Sequence, residues 1–151
     1  MENTIRIAAS AIVVRDGKIL LVRYQTPDGG SLLVGPGGAT DHGEDLCQTC
    51  VREVREETGL VIQVGNLLFV EDLLTSKYRM FKFWFLAEVV GGQLIETEEA
   101  RTEGIVQVGW YTKAELEDEI VFPALVKERD WGLLQKEACQ TIYAGIKRAM
   151  F

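Results

Sequence analysis

Three glutamates, Glu53, Glu56 and Glu57, stand at spacings of i, i+3 and i+4 in a stretch that reads as a helix from Glu44 to Thr58, with Gly59 just past its end. With neighbours turned about 100° from one another, Leu46, Cys50 and Val54 form an apolar stripe, with Cys47 and Val51 beside it. Glu57 falls closest to the line of Leu46 and Cys50, so the flank that must pack also carries repelling carboxylates. They lie towards the C-terminal half, where the helix dipole disfavours negative charge. Arg52 and Arg55 offset part of this. A solvated acidic face is the ordinary reading of an Arg/Glu-rich helix, but the half-buried position argues against it. A divalent cation relieves the repulsion directly, and carboxylate oxygens suit Mg²⁺, Mn²⁺ or Ca²⁺.

The charge of the whole chain repeats this pattern. The 151 residues carry 23 acids and 16 bases, a net charge of -7. Residues 38–60 contribute a net -4 and residues 96–119 a net -6, and the ends are slightly positive. Such a balance excludes broad phosphate neutralisation, so duplex nucleic acid is not an expected partner, while a small nucleotide is not excluded. No segment approaches the roughly 20 apolar residues that span a bilayer, so no membrane partner is expected. The run Ile7–Val14 has the length of a short signal core, but Glu2 precedes it and Asp16-Gly17 follows, which fits a strand and hairpin better. Three cysteines, Cys47, Cys50 and Cys139, do not make a disulfide framework. The protein is expected in the cytoplasm.

Residues 4–14 and 18–25 read as strands joined at Arg15-Asp16-Gly17. Residues 26–30 are a loop, and Ser31–Val34 is a short strand broken by Gly35-Pro-Gly-Gly38. After the acidic helix, Val61–Thr75 and Tyr78–Val90 read as two long strands, Ile105–Tyr111 as another and Lys113–Glu119 as a short helix. Residues 124–149 read as mostly helical, interrupted at Gly132, with Leu134, Ala138, Ile142, Gly145 and Ala149 at helical spacing. With neither repeat nor linker, one domain over residues 1–151 is expected, a mixed sheet with packed helices of the α/β or α+β class.

Residues 38–60 run Gly38, five residues, Glu44, seven residues, then Arg52-Glu53-Val54-x-Glu56-Glu57-x-Gly59-Leu60. This resembles the complete Nudix box. Pro36-Gly37-Gly38 before it, the strand order around it, and Trp110-Tyr111 ahead of the short helix fit the same family. The resemblance implies a Nudix-type α/β/α sandwich with a central mixed β-sheet, and metal-dependent hydrolysis of a nucleoside diphosphate linked to a variable group. It implies that Glu53, Glu56 and Glu57 ligate Mg²⁺ (or Mn²⁺), joined by the Gly37 carbonyl. It also implies that Arg52 and Glu44 hold the carboxylates, Gly38 permits the tight entry and Gly59 ends the helix. Family members are often dimers, so a homodimer is allowed for. With one histidine, His42, in a loop and given no role, a carboxylate base is the natural choice. Glu56 is the candidate within the box. Glu98, Glu99 and Glu103 are candidates in the second acidic block, with Glu103 preferred, against a reading of that block as a solubilising loop.

Weaker signals concern the substrate. Arg23, on the second strand, is placed to meet a phosphate or a base. Tyr78 lies 18 residues past the box, where a tyrosine resembles the dinucleoside polyphosphate type. Lys77, Arg79 and Lys82 near a strand junction could attract an anion, although ordinary surface charge is the plainer reading. Phe81, Phe83, Trp84 and Phe85 are read as core. Cys47-x-x-Cys50 lacks the second pair a structural zinc site needs. The expected activity is cleavage of a diphosphate bond in ADP-ribose or a nucleotide sugar. Its rivals are a nucleoside triphosphate or dinucleoside polyphosphate pyrophosphohydrolase, a non-catalytic nucleotide sensor and, less fittingly with a single histidine, an isoprenoid diphosphate isomerase.

Overall fold

The computed structural model describes residues 4–136 and 141–149. Its strands are β1 (Ile5–Ile12), β2 (Val14–Arg15), β3 (Lys18–Gln25), β4 (Ser31–Val34), β5 (Gly37–Ala39), β6 (Leu60–Leu74), β7 (Arg79–Gly92), β8 (Ile105–Thr112), β9 (Val121–Phe122) and β10 (Ile142–Arg148). Its α-helices are α1 (Leu46–Thr58), α2 (Glu98–Thr102), α3 (Leu125–Glu128) and α4 (Trp131–Leu134). One mixed sheet has the order β10-β6-β7-β1-β5; the other runs β2-β3-β4-β9, with β8 on the other edge of β3. The expected mixed α+β class is what is observed. No helix among the described residues is long and apolar enough to cross a membrane.

The first apolar run divides between the two sheets. β1 pairs with β7 and β5, whereas β2 turns through Asp16 and Gly17, both at positive φ, to pair with β3. The Asp-Gly turn therefore forms the predicted hairpin, but only its last two strand residues belong to it. β3 contributes Ile19, Leu20, Leu21 and Val22, all fully buried, because both its faces are covered. Ile19, Leu21 and Val22 join a core between the sheets, with Ile12, Leu33, Phe69 and Trp84. Leu20 joins a second core beneath α1, with Ala9, Ala11, Cys50, Val54, Leu60, Ile62, Phe85 and Ala87.

Three expectations need correction. Residues 124–149 are not one interrupted helix: α3 and α4 are single turns, and Ile142–Arg148 is a strand parallel to β6. The free edge of β6 offers a row of backbone hydrogen bonds that a sequence pattern does not reveal. The spacing of four from Leu134 to Ile142 is also even, so it satisfies a strand's period of two. Gly145 lies within the register shift between Tyr143 and Ile146, a place where glycine is common in strands. Ala138 and Cys139 lie outside the described residues. Gly132 does not interrupt a helix; it sits in α4, where its N–H donates to the capping Asp130 carboxylate. Lys113–Glu119 shrinks to a 3₁₀ turn at Ala114–Leu116.

Because Leu20 reaches the seat of α1 from the other sheet, Leu20→Ala is expected to cost about 2–5 kcal/mol in urea unfolding with little change in the m-value.

Candidate metal centre and active site

Two backbone features fix α1. At its start the Asp45 carboxylate accepts from Gln48 N–H (2.8 Å) while the Gln48 side chain accepts from Asp45 N–H (2.9 Å), a reciprocal capping box. At its end Gly59, with φ of 79°, donates to the Arg55 carbonyl (2.9 Å) in a left-handed cap that suits glycine. Cys50 and Val54, both fully buried, set the helix's rotation about its axis. That rotation turns Glu53 and Glu57 inward, to 7% and 1% exposure, beside β5 at the edge of the first sheet.

Glu57 receives the Gly37 N–H on one oxygen (2.7 Å), and its other oxygen, Oε2, is buried with no hydrogen-bond partner. Gly38 leaves room for Glu53: a Cβ there would stand 2.6–2.7 Å from the Glu53 carboxyl. Arg52 organises the remaining acids. Its Nε and Nη2 donate to the two oxygens of Glu44 (2.7 and 2.9 Å), and its Nη1 donates to Glu53 (2.9 Å) and Glu56 (3.2 Å). Nη2 also reaches the Ala39 carbonyl (3.0 Å). These bonds, with the Asp41 N–H, hold the Glu44 carboxyl down to about 2.

The second acidic block divides sharply. Thr97 caps α2, and its hydroxyl also donates to the Glu56 carbonyl, tying the two helices together. Glu98 and Glu99 are exposed in the first turn of α2. Glu103, just after α2, comes to the box: carboxylate oxygens of Glu53, Glu57 and Glu103 lie within 4.8 Å of one another. Glu56 is outside this tightest group, with its side chain 35% exposed and turned to Arg52. Burial raises the carboxyl pKa of Glu57 well above its usual value, with Glu103 and Glu53 adding to it against the Gly37 hydrogen bond. Burial likewise raises Glu53, opposed by Arg52, and raises Glu103, helped by Glu56. The cluster fits a hard divalent cation: every donor is an oxygen, one buried oxygen lacks a partner, and Gly38 keeps the cradle clear.

The two substrate candidates are placed elsewhere. Arg23 is engaged bidentately by Glu119 (2.8 and 3.1 Å) and also donates to Ser31 (2.7 Å) and Gln107 (3.2 Å). Tyr78 sits at the far end of the β6–β7 hairpin under the Arg6 guanidinium, which is 3.9 Å from its ring centroid. It lies six residues along β7 from Trp84, roughly 20 Å by strand rise, and is not brought to the carboxylates. Arg79 pairs with buried Asp72. Cys47 is exposed and Cys50 buried, its thiol pushed up to about 12 by burial, so they offer no thiolate pair. One neighbour of the cluster, Tyr24, is unflagged in the sequence, and another, Lys82, reads there mainly as surface charge. Tyr24 has its phenol pKa raised by burial and then by Glu57, Glu103 and Glu53. Lys82, far from being a surface charge, is buried. Neither carries a motif; the burial that singles them out comes from tertiary packing.

A sequence profile of the NUDIX domain matches residues 4–135. An ADP-ribose pyrophosphatase from Methanocaldococcus jannaschii is 32% identical over 97 residues, which is 63% of this chain and 57% of the relative. The human 8-oxo-dGDP phosphatase is 30% identical over 115 residues, 76% of this chain and 34% of that protein. The crystal structure of a MutT NUDIX hydrolase from Burkholderia pseudomallei superposes with a TM-score of 0.70 at 26% identity, covering 83% of this chain and 98% of that one. The matches thus span little more than half of the first relative and about a third of the second.

Two outcomes test the electrostatics. Arg52→Gln leaves Glu44, Glu53 and Glu56 without their shared partner; for a side chain about a quarter exposed this is expected to lower stability by about 1–3 kcal/mol. The raised pKa values of Glu57, Glu53 and Glu103 mean that the folded chain binds more protons than the unfolded one above the usual 4.5. With a chelator present, this cluster's contribution is therefore expected to fall as pH rises from 4.5 through the raised values, and added Mg²⁺ is expected to reverse the loss. Urea midpoints at pH 5 and 7, with and without Mg²⁺, measure it; a slope unchanged by Glu57→Gln would contradict the assignment.

Proposed function

The chain belongs to the NUDIX family, and from that premise we propose that it is a metal-dependent pyrophosphohydrolase cleaving the diphosphate bond of a nucleoside diphosphate derivative of the ADP-ribose or nucleotide-sugar type. The observation that carries the reading is the trio of Glu53, Glu57 and Glu103 around an unpartnered buried oxygen. The relatives named for ADP-ribose and 8-oxo-dGDP support a nucleoside diphosphate core in the substrate.

Glu53 and Glu57 would hold Mg²⁺ or Mn²⁺, with Glu56 at the rim and Arg52 and Glu44 fixing their orientation. When bound, the cation would neutralise diphosphate charge and lower the pKa of attacking water. Glu103 is the less buried member of the trio and comes from a separate loop. Burial holds its pKa above the ordinary carboxylate value, which makes it a stronger base than an exposed glutamate, so we assign it the proton of the attacking water. The water oxygen bonds to phosphorus as the bridging P–O bond breaks, and the departing phosphate takes the electron pair. Glu56 is the rival base; its carboxylate is already engaged by Arg52 and lies outside the tightest group.

A panel of ADP-ribose, nucleotide sugars, dinucleoside polyphosphates, 8-oxo-dGDP and nucleoside triphosphates, with Mg²⁺ and with Mn²⁺, tests the assignment. Hydrolysis of the first two classes is expected, falling at least about 100-fold in Glu53→Gln and Glu57→Gln. Glu103→Gln is expected to lower kcat about 10²–10⁴-fold and to remove the acidic limb of the pH profile. If Glu56→Gln does this instead, the base is Glu56. Tight nucleotide binding with no turnover of any panel member would make the chain a sensor.

A further inference from the structure

The inner wall of the first sheet carries a polar row that the hydrolytic reading leaves unused. Strand alternation puts Ser10, Lys82 and Glu71 on the same face as Ile12, Trp84 and Phe69, which is the face turned to the second sheet. Lys82 is the cross-strand neighbour of Glu71. Two residues along β7, Trp84 neighbours Ser10, and Ser10 neighbours Gly37, whose N–H holds Glu57. The row therefore leads to the carboxylate cluster.

Its hydrogen bonding is incomplete. One Glu71 oxygen accepts from the Trp84 indole N–H (2.6 Å). Lys82 is only 9% exposed, and its ammonium stands 4.6 Å from the Trp84 ring centroid. Among the described residues it has neither a hydrogen bond nor an ion pair. An enclosed ammonium with no protein acceptor favours a partner that supplies oxygens. Ser10 Oγ and Glu57 Oε2, in the same region, are buried acceptors without partners. Glu71, Glu57 and Glu53 all act electrostatically on Lys82, against the burial that lowers its pKa. Trp84 is fully buried, so it offers no ring face on which a nucleobase could stack. The group that these open donors admit is a small, oxygen-rich one.

We propose that Lys82 is a substrate-binding residue whose ammonium, on the inter-sheet side of the carboxylate cluster, donates to a phosphate oxygen of the bound diphosphate. The inference rests on the hydrolytic reading only for the ligand's being a nucleoside diphosphate. Lys82 is then the cationic counterpart of the acidic cluster, placed to meet a polyanion beside it.

ADP binding in saturating Mg²⁺, followed by calorimetry, tests it, with Mn²⁺ binding to the nucleotide-free protein followed in parallel. Lys82→Met is expected to weaken ADP at least tenfold without weakening Mn²⁺ binding, because losing a cation beside Glu57 and Glu53 does not disfavour a divalent ion there. If the single variant fails to fold with Glu71 left alone, Lys82→Met combined with Glu71→Gln carries the same test. Unchanged ADP affinity overturns the proposal. Equal loss of Mn²⁺ and ADP also overturns it, because Lys82 would then act through the carboxylates. A wild type that binds Mn²⁺ but no ADP overturns it together with the hydrolytic reading. ADP binding that depends on Lys82, in a protein that hydrolyses no panel member, supports the proposal and removes the hydrolytic reading alone.

Discussion

The burial of Glu57 is the constraint on which the rest of the site depends. A carboxylate at 1% exposure with one satisfied oxygen is unfavourable unless something supplies compensating charge. The fold supplies only part of it. The Gly37 N–H reaches one oxygen, and Lys82 lies within electrostatic range, while Arg52 is committed to Glu44, Glu53 and Glu56. The remaining deficit is what makes the cluster receptive to a cation, and it exists because α1 cannot rotate away. Cys50 and Val54 are locked beneath it by Leu20, Phe85 and the small alanines of β1.

This division of labour separates affinity from geometry. The apolar side of α1 fixes where the carboxylates point, and the polar side fixes how far they repel one another. Glu44 has no place in the trio, yet it takes up most of the Arg52 fork, so the guanidinium stands as a planar spacer between acids instead of collapsing onto one. Thr97 does the corresponding work for the loop, joining the start of α2 to the end of α1 so that Glu103 is delivered from a distant part of the chain.

What could be read in the sequence was local. The spacing of Glu53, Glu56 and Glu57 is a helical property, and the Asp16-Gly17 turn and the Gly59 cap are decided by their own backbones. From the sequence Glu103 is preferred over Glu98 and Glu99, but the physical reason for that choice, its position just past the end of α2, is visible only in the fold. The readings that failed depended on distant partners. Residues 142–148 become a strand because β6 has a free edge. Lys82 passes for a surface charge until β1, β6 and the second sheet enclose it. For Arg23, read as placed to meet a phosphate or a base, the sequence does not show the pairing with Glu119, 96 residues away.

The passage of the chain at Val13 from one sheet to the other has a mechanical meaning. Val13 is 1% exposed, and its carbonyl accepts from Leu20 N–H, so a single continuous backbone is clamped into both sheets. The sheets therefore cannot slide past each other as independent plates. Any relative displacement of the two sheets is transmitted through this shared strand, which runs beside the corner where Ser10 and Gly37 meet. In such a body the carboxylates sit close to the shared strand, and adaptation to ligands of different bulk falls to the loops farthest from it.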